Sequence, residues 1–414
     1  MIGKMAAILL VLWGLGLGAL RAQEPGAILT TGSIAEAEAA LSAKVKAGEG
    51  GDATRVALGL AQFLRAYEKV GATLYKYGLR TENASEALGM FAGQLMPENP
   101  TPEVATLAGL RAAADLWLKD LAQTEQTLAA VKDAEVKLVF VPGLLQIDPS
   151  GLGHPVSAVM LLANNGAAPT PNSPALRAVA FDRGDVTWLR GYLHMLMGLG
   201  EMVLAYDQQE LFDTVGHMAF AKTNTPYQYL LTEDRNFDAA MEDFGMGMDP
   251  VFLDIIALIH LQRYALKEPE RCPRALAHFE AMAKLSQEMW TQINAEVDDD
   301  REWIPNPRQN SVIGRKITEA QITAWKGVMV EVQSLLAGKT LLPFWRGTDE
   351  AVGINLRRVF LEPKAFDTIL WIQGTAATPY LEAGKRTPLS QPNMMRQLSQ
   401  AFGGNLWFFA LWTN

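Results

Sequence analysis

The chain has 414 residues, of which 49% are apolar and 20% charged, a composition typical of globular rather than disordered proteins. Its net charge of −9 argues against a general nucleic-acid-binding protein, because such proteins need cations that neutralise phosphates. The single cysteine, Cys272, excludes an intramolecular disulfide, so packing must stabilise the fold.

The first 22 residues have the order of a secretory signal peptide. Lys4 precedes an apolar segment over 5–20, and the small residue Ala22 stands before the expected cleavage site. We therefore expect export with cleavage after Ala22, which gives a periplasmic or secreted protein. An uncleaved N-terminal membrane anchor is the alternative, because Leu20 suits signal cleavage less well than alanine.

No integral membrane span is expected after the signal. The longest uncharged run, over 149–176, is interrupted by proline, glycine and asparagine. The aromatic C-terminal run over 397–414 is interrupted by glutamine, a glycine pair and asparagine. Both are too interrupted to cross a bilayer, and we expect the C-terminal aromatic residues to pack into the core.

The first third of the chain predicts helices. The residues from Ser33 to Glu36 fit a capping box at a helix start. Over 52–78, apolar residues recur at spacings of three and four, which places them on one helix face. Further helices are expected over 85–95 and 101–131. No repeat near 34 residues recurs, which favours a helical bundle or irregular helical array over a tetratricopeptide-like solenoid.

Short strands and one loop interrupt the helical pattern. The segments 136–141 and 354–361 are rich in β-branched and aromatic residues and predict strands that could pair. The segment 164–174 contains asparagine, glycine and proline and predicts a loop. We place a boundary there, between an N-terminal helical region over 23–165 and a larger C-terminal helical region over 175–414. A single domain is the alternative.

The second part of the chain again predicts helices. A long helix over 184–206 carries apolar residues on several faces, so we expect it to be central and buried. Further helices are expected over 250–266, 274–296, 318–336 and 363–373. The predicted fold class is therefore mainly α, with a multi-helix bundle or irregular array and, at most, a small two-stranded sheet.

Titratable side chains concentrate on and after the predicted central helix. His194 and Glu201 are seven residues apart and share a helix face. Asp213 and His217 are four apart, a spacing that can present a carboxylate and an imidazole to one metal. Together with Glu210 they predict one pocket. Its candidate general bases are Glu201 and Glu210, and its candidate metal ligands are His194, Asp213 and His217.

The stronger interpretation of these residues is an ordinary structural one. His194 lies in an apolar helix, where an imidazole can simply bond a neighbour, and Asp213 fits the polar face of an amphipathic helix. The zinc motif H-E-x-x-H and the di-iron E-x-x-H pairs do not occur. No cofactor follows from the sequence.

An acidic segment over 298–302 offers oxygen ligands that calcium prefers. The EF-hand pattern fails, since Trp303 stands where the turn glycine belongs and Gln309 where the bidentate glutamate belongs. We therefore expect a solvated acidic loop, with a calcium site as the alternative. Asp182 and Asp185 are expected to cap a helix.

The aromatic residues of the C-terminal region are a second candidate surface. The residues that could line an apolar groove are Phe344, Trp345, Arg346, Trp371, Tyr380, Trp407 and Trp412. Core packing explains them more simply.

The sequence favours a non-catalytic binding or interaction protein of the cell envelope. Its partner would be an unidentified protein, peptide or small-molecule ligand, and not a nucleic acid. The alternative is a hydrolase or metal-dependent enzyme with its site near residues 194–217.

Overall fold

The structure, a computed structural model, describes residues 24–80, 97–161, 173–231, 250–312 and 316–404, together with positions 170, 314, 406, 409 and 410. The expected signal peptide, the expected helix over 85–95 and most of the expected loop over 164–174 lie outside the described residues.

Helices dominate the described chain, which confirms the mainly α prediction. The α-helices are α1 (Pro25–Thr30), α2 (Ile34–Ala47), α3 (Gly51–Lys76), α4 (Leu107–Ala129), α5 (Ala158–Leu161), α6 (Arg183–Ala205), α7 (Gln209–Ala219), α8 (Pro250–His260), α9 (Arg271–Ala295), α10 (Glu319–Leu336), α11 (Leu356–Leu361), α12 (Thr368–Gln373) and α13 (Pro392–Phe402).

The strands are short and antiparallel. They are β1 (Lys137–Phe140), β2 (Gln146–Ile147), β3 (Val156–Ser157), β4 (Val179–Asp182), β5 (Tyr206–Asp207), β6 (Arg263–Leu266), β7 (Leu342–Pro343), β8 (Val352–Ile354), β9 (Phe366–Asp367) and β10 (Leu381–Ala383). Within the described chain, β1 pairs with β4 and β2 with β3, while β5-β6-β9 and β10-β8-β7 form three-stranded sheets.

Local sequence explains where several helices begin. Ser33 and Glu36 form the expected capping box of α2, and Asp182 and Asp185 form another at α6. Thr318 caps α10, whose end is followed by Gly338 in the left-handed region at φ +70°. These side chains satisfy backbone N–H groups that a helix leaves unpaired, which is why the starts of α2 and α10 were predictable.

Other helices and strands begin or end at residues that differ from the predicted ones, because of long-range contacts. α4 begins at Leu107 behind a Thr106 cap, not at the expected Thr101, because the backbone of Ala105 pairs with the segment around Thr223. The expected strand over 354–361 was wrong. An Asn355 cap starts α11 there, and β1 pairs with β4 instead. The expected helix over 250–266 ends at His260 and continues as β6.

The helices pack as an array of neighbours. α2 packs on α3, α3 on α4, α4 on α6, α6 on α9, and α9 on α10. α6 and α9 are antiparallel: Thr187 near the start of α6 bonds Gln292 near the end of α9, and Glu201 near the end of α6 bonds Arg271 at the start of α9. Trp188 packs against both main core clusters. As expected, α6 is central, and its apolar residues on several faces are explained by its neighbours on two sides.

The larger core cluster contains residues from both sides of the predicted boundary. It contains residues from Ile28 in α1 to Leu204 in α6 together with Val312, and the β1–β4 pair also joins the two regions. The division at 165–175 therefore stays a prediction, while the described core is shared across it. A second cluster combines α9, α10 and α13 with Phe409, so part of the C-terminal aromatic segment is buried as expected.

Within the described residues, no helix combines the length and apolar character needed to cross a membrane.

Alanine substitution at two helix-interior glycines is expected to change the free energy of unfolding in opposite directions. A Cβ at Gly71 of α3 would lie 2.0 Å from the carbonyl oxygen of Pro149, whereas a Cβ at the exposed Gly327 of α10 would have open space. Gly71→Ala should therefore lower the free energy of unfolding by about 1–3 kcal/mol through overpacking. Gly327→Ala should raise it by up to about 1 kcal/mol, the helix-propensity difference. Denaturant unfolding measures both changes in the free energy of unfolding. Changes of the same sign would contradict the close packing of α3 on the loop that contains Pro149.

Candidate functional site

Three helices enclose a cleft of about 470 Å³ between α4, α6 and α9. Its lining residues are Asp115, Leu118, Lys119 and Ala122 from α4, Met197 and Glu201 from α6, and Arg271, Arg274 and His278 from α9. On each helix these residues recur at spacings of three, four or seven, so one face of each helix points into the cleft. The volume is in the range of small-molecule sites.

Arg271 is the buried centre of the ion-pair network in the cleft. Its side chain is 9% exposed, and its guanidinium donates to carboxylates of three elements. The distances are 2.7 Å to Asp115, 3.1 Å to Glu201 and 2.6 Å to Glu268. Burial opposes its positive charge, but these hydrogen bonds outweigh that effect and raise the pKa of Arg271. Arg271 thus ties α4 and α6 to the start of α9.

Glu201 is shared by two guanidinium groups. Arg274 donates from Nε and Nη2 to its two oxygens, both at 3.1 Å, and Arg271 donates to the same carboxylate. The Arg274 side chain is 47% exposed, whereas that of Glu201 is 12% exposed. A carboxylate held in this way orients cations that face the cleft.

Two histidines meet behind the cleft. His194 Nδ1 and His278 Nδ1 are 2.9 Å apart, so one imidazole donates to the other. Burial and the neighbouring His194 imidazole and Arg274 guanidinium lower the pKa of His278. His278 is therefore a neutral imidazole at neutral pH, and it lines the cleft while His194 lies behind it.

Glu125 supports this histidine pair from α4. Its carboxylate lies 2.8 Å from Arg190 and 3.8 Å from His194 Nε2. Burial alone would favour its protonated form, but the neighbouring imidazole and guanidinium lower the pKa of Glu125 to about 2. Glu125 is therefore ionised under ordinary conditions and fixes the orientation of the pair.

Lys119 lies at the exposed rim of the cleft. Among the described residues, its ammonium group has no ion-pair partner. It is therefore a cation that an incoming ligand can reach without breaking an existing pair.

The five residues that predict one pocket are placed in two regions. His194 and Glu201 reach the cleft region from α6, whereas Glu210, Asp213 and His217 lie on α7. His217 Nε2 lies 3.0 Å from Asp254 of α8.

The two carboxylates on α7 also have partners of their own. Glu210 pairs with Arg263 of β6, and Asp213 accepts from Gln209. In the described chain, the expected ligand trio of His194, Asp213 and His217 does not form a group with ligand atoms within 4.8 Å of one another. The proposed catalytic and ligand roles remain untested predictions.

The candidate aromatic surface is partly a packing cluster. Phe344, Trp371 and Tyr380 pack around Ile354, with Trp371 stacked on Tyr380 at 6.0 Å. Trp345 is 54% exposed. Trp407 and Trp412 lie outside the described residues.

Sequence reasoning missed the α9 side of the cleft. Arg271, Arg274 and His278 are spaced by three and four, which places them on one helix face. The same signal exists for Asp115 and Lys119 on α4. The spacing was readable, but nothing local shows that these faces meet Glu201 on α6.

Comparison with protein-family models, with curated proteins and with solved structures finds no match for this chain. The chemistry of the cleft therefore carries the functional interpretation.

Proposed function

We propose that this chain is an exported, non-catalytic binding protein of the cell envelope, whose cleft between α4, α6 and α9 holds a small ligand with a carboxylate and a short apolar chain. The observation that carries the proposal is the collection of cations at a cleft of ligand size.

The charges of the cleft favour an anion. Its two acidic residues, Asp115 and Glu201, already pair with Arg271. Arg274 is half-exposed and Lys119 lies at the rim, so positive groups remain accessible where the carboxylates are occupied. Guanidinium and ammonium groups bind carboxylates through charge-assisted hydrogen bonds.

The remaining wall of the cleft is apolar. Leu118, Ala122 and Met197 line it beside the charged residues. A ligand with a charged end and a hydrocarbon end fits this division, since each end meets a surface of its own kind.

The cell-envelope location rests on the first 22 residues, which have the order of a signal peptide. The alternative, a hydrolase or metal-dependent enzyme near residues 194–217, has less support. It needs the α7 carboxylates and His217 beside Glu201, and these side chains have other partners.

Hexanoate and hexylammonium form a matched pair of probes with equal chains and opposite charges. We expect hexanoate to raise the unfolding temperature of the purified protein. At about one hundred times its dissociation constant, a ligand stabilises the native state by about 2.7 kcal/mol. Hexylammonium should leave the temperature unchanged. Stabilisation by hexylammonium alone would overturn the proposal.

Lys119→Gln is the variant that tests the site. Because it removes a charge-assisted hydrogen bond, it should weaken hexanoate binding about tenfold or more in a calorimetric titration. Lys76→Gln, which removes an exposed lysine at the end of α3 that pairs with Glu103 and does not line the cleft, is the control and should bind as the wild type does. Equal weakening by both variants would contradict a specific site in the cleft.

A further inference from the structure

A second group of titratable residues lies at the opposite end of the α6–α9 pair. Asp182 caps α6, Glu296 follows the end of α9, and Glu302 lies six residues later in the chain. Each places a carboxylate oxygen within 4.8 Å of the other two. From the helix rise of 1.5 Å per residue, this cluster is roughly 25 Å from the ligand cleft.

Asp185 adds a fourth carboxylate that is 1% exposed. Its Oδ2 accepts from the backbone N–H of Asp182, which keeps the side chain beside the cluster. Its Oδ1 is buried and has no hydrogen-bond partner among the described residues. A buried carboxylate oxygen without a donor is costly, so this atom indicates a missing positive partner.

Protein cations do not neutralise the cluster. In the described parts of the chain, no lysine or arginine forms an ion pair with any of the four carboxylates. Lys137, which stands opposite Asp182 in the β1–β4 pair, forms ion pairs with Asp298 and Asp300 instead. Glu302, which is 2% exposed, accepts a neutral hydrogen bond from the backbone of Asp300 at 2.9 Å, and Glu296 accepts one from the side-chain amide of Gln309 at 3.3 Å.

The carboxylates of this group are crowded together away from solvent, since Asp185 is 1% exposed and Glu302 is 2% exposed. Four carboxylates in this arrangement need either protons or a cation.

We propose that Asp182, Glu296 and Glu302 form a divalent-cation site beside the buried carboxylate of Asp185, and that its ion is of the calcium type. All donors are carboxylate oxygens, which hard cations prefer. One ion contacts several oxygens only when these lie within about twice the metal–oxygen distance. That limit is about 5 Å for Ca²⁺ and about 4 Å for Mg²⁺. The carboxylate oxygens of Asp182, Glu296 and Glu302 lie within the limit for Ca²⁺.

This site differs from the acidic loop that the sequence suggested. Asp298 and Asp300 are occupied by Lys137, and Asp299 accepts from the backbone and side chain of Asn310. Only Glu302 of that segment belongs to the cluster. The ion would bridge α6, the end of α9 and the following loop, a structural role that is independent of the ligand cleft.

Purified full-length protein, freed of metal with a chelator, provides the test. We expect Ca²⁺ to raise its unfolding temperature and to give a saturable heat of binding, with Mg²⁺ weaker. Glu302→Gln and Asp185→Asn should each weaken Ca²⁺ binding about tenfold or more, the size seen when support for a metal site is lost. Asp300→Asn, which changes a half-exposed acid of the same segment that pairs with Arg301, is the control and should retain Ca²⁺ binding.

Both site variants remove a buried negative charge, so in chelator they should unfold at or above the wild-type temperature. Tb³⁺, which replaces Ca²⁺, should give luminescence sensitised by the adjacent Trp303 in the wild type and not in Glu302→Gln. An absence of Ca²⁺ heat and of any temperature shift in the wild type would overturn the proposal, since protons would then neutralise the cluster. Equal loss in Asp300→Asn, or tighter binding of Mg²⁺, would also overturn it.

Discussion

Replacement of Arg271 by alanine is expected to lower the free energy of unfolding by about 3–5 kcal/mol. The side chain is 9% exposed and pairs with Asp115, Glu201 and Glu268. Its removal leaves the buried Glu201 with only Arg274, and a carboxylate that loses a buried partner is costly. Denaturant unfolding at neutral pH measures the loss.

Arg274→Ala is the matched control for this prediction. It removes a guanidinium that pairs with the same Glu201 but is 47% exposed. Exposed ion pairs contribute about 0–1 kcal/mol, so its effect should be several-fold smaller. Equal effects of the two variants would show that burial of Arg271 does not hold the three helices together.

Trp290→Ala is expected to lower the free energy of unfolding by about 3–5 kcal/mol. Trp290 is 0% exposed in the core of α9, α10 and α13, and its ring stacks on Phe409 at 5.9 Å. Truncation removes this contact and leaves a cavity that the surrounding helices fill only in part. The loss should also release the C-terminal aromatic segment, which limited proteolysis would detect.

Trp290→Phe separates the packing of the ring from its indole N–H. Among the described residues, that N–H has no hydrogen-bond acceptor. Phenylalanine keeps an aromatic ring and removes the unpaired donor, so its cost should stay below about 1.5 kcal/mol. A cost equal to that of alanine would mean that the N–H has an acceptor that stabilises the fold.

The fold was predictable where local signals decide it. The apolar spacing over 52–78 and the capping box at Ser33 correspond to α3 and α2 within a few residues. The segment 354–361 shows the limit. Its β-branched and aromatic residues predict a strand, yet an Asn355 cap makes most of it helical. In this segment, helix capping and tertiary contacts outweigh the intrinsic β propensity of the residues.

The sequence predicted the α6 side of the cleft but not the α9 side, for a physical reason. Helical periodicity places His194 and Glu201 on one face of α6, and both lie in or behind the cleft. The same rule cannot show which distant helix faces them. The antiparallel packing of α9 brings Arg271 to Glu201 and His278 to His194, across sequence separations of 70 and 84 residues.

The two proposed sites lie on the same pair of helices, but each can be tested without the other. The buried pair α6–α9 holds the cationic cleft near Glu201 and the carboxylate cluster near Asp182. Hexanoate binding tests the first site and Ca²⁺ binding tests the second. Ligand binding in the cleft is tested most directly by a measurement that shows where on the protein hexanoate binds.

Histidine-selective NMR during a hexanoate titration gives that location, because the chain has five histidines. His278 lines the cleft, and His194 is hydrogen-bonded to His278. The other three histidines, His154, His217 and His260, do not line the cleft. We expect the imidazole signals of His278 and His194 to shift with hexanoate while the other three stay unchanged. Unchanged His278 and His194 signals at saturating hexanoate, or shifts confined to the other three histidines, would contradict it.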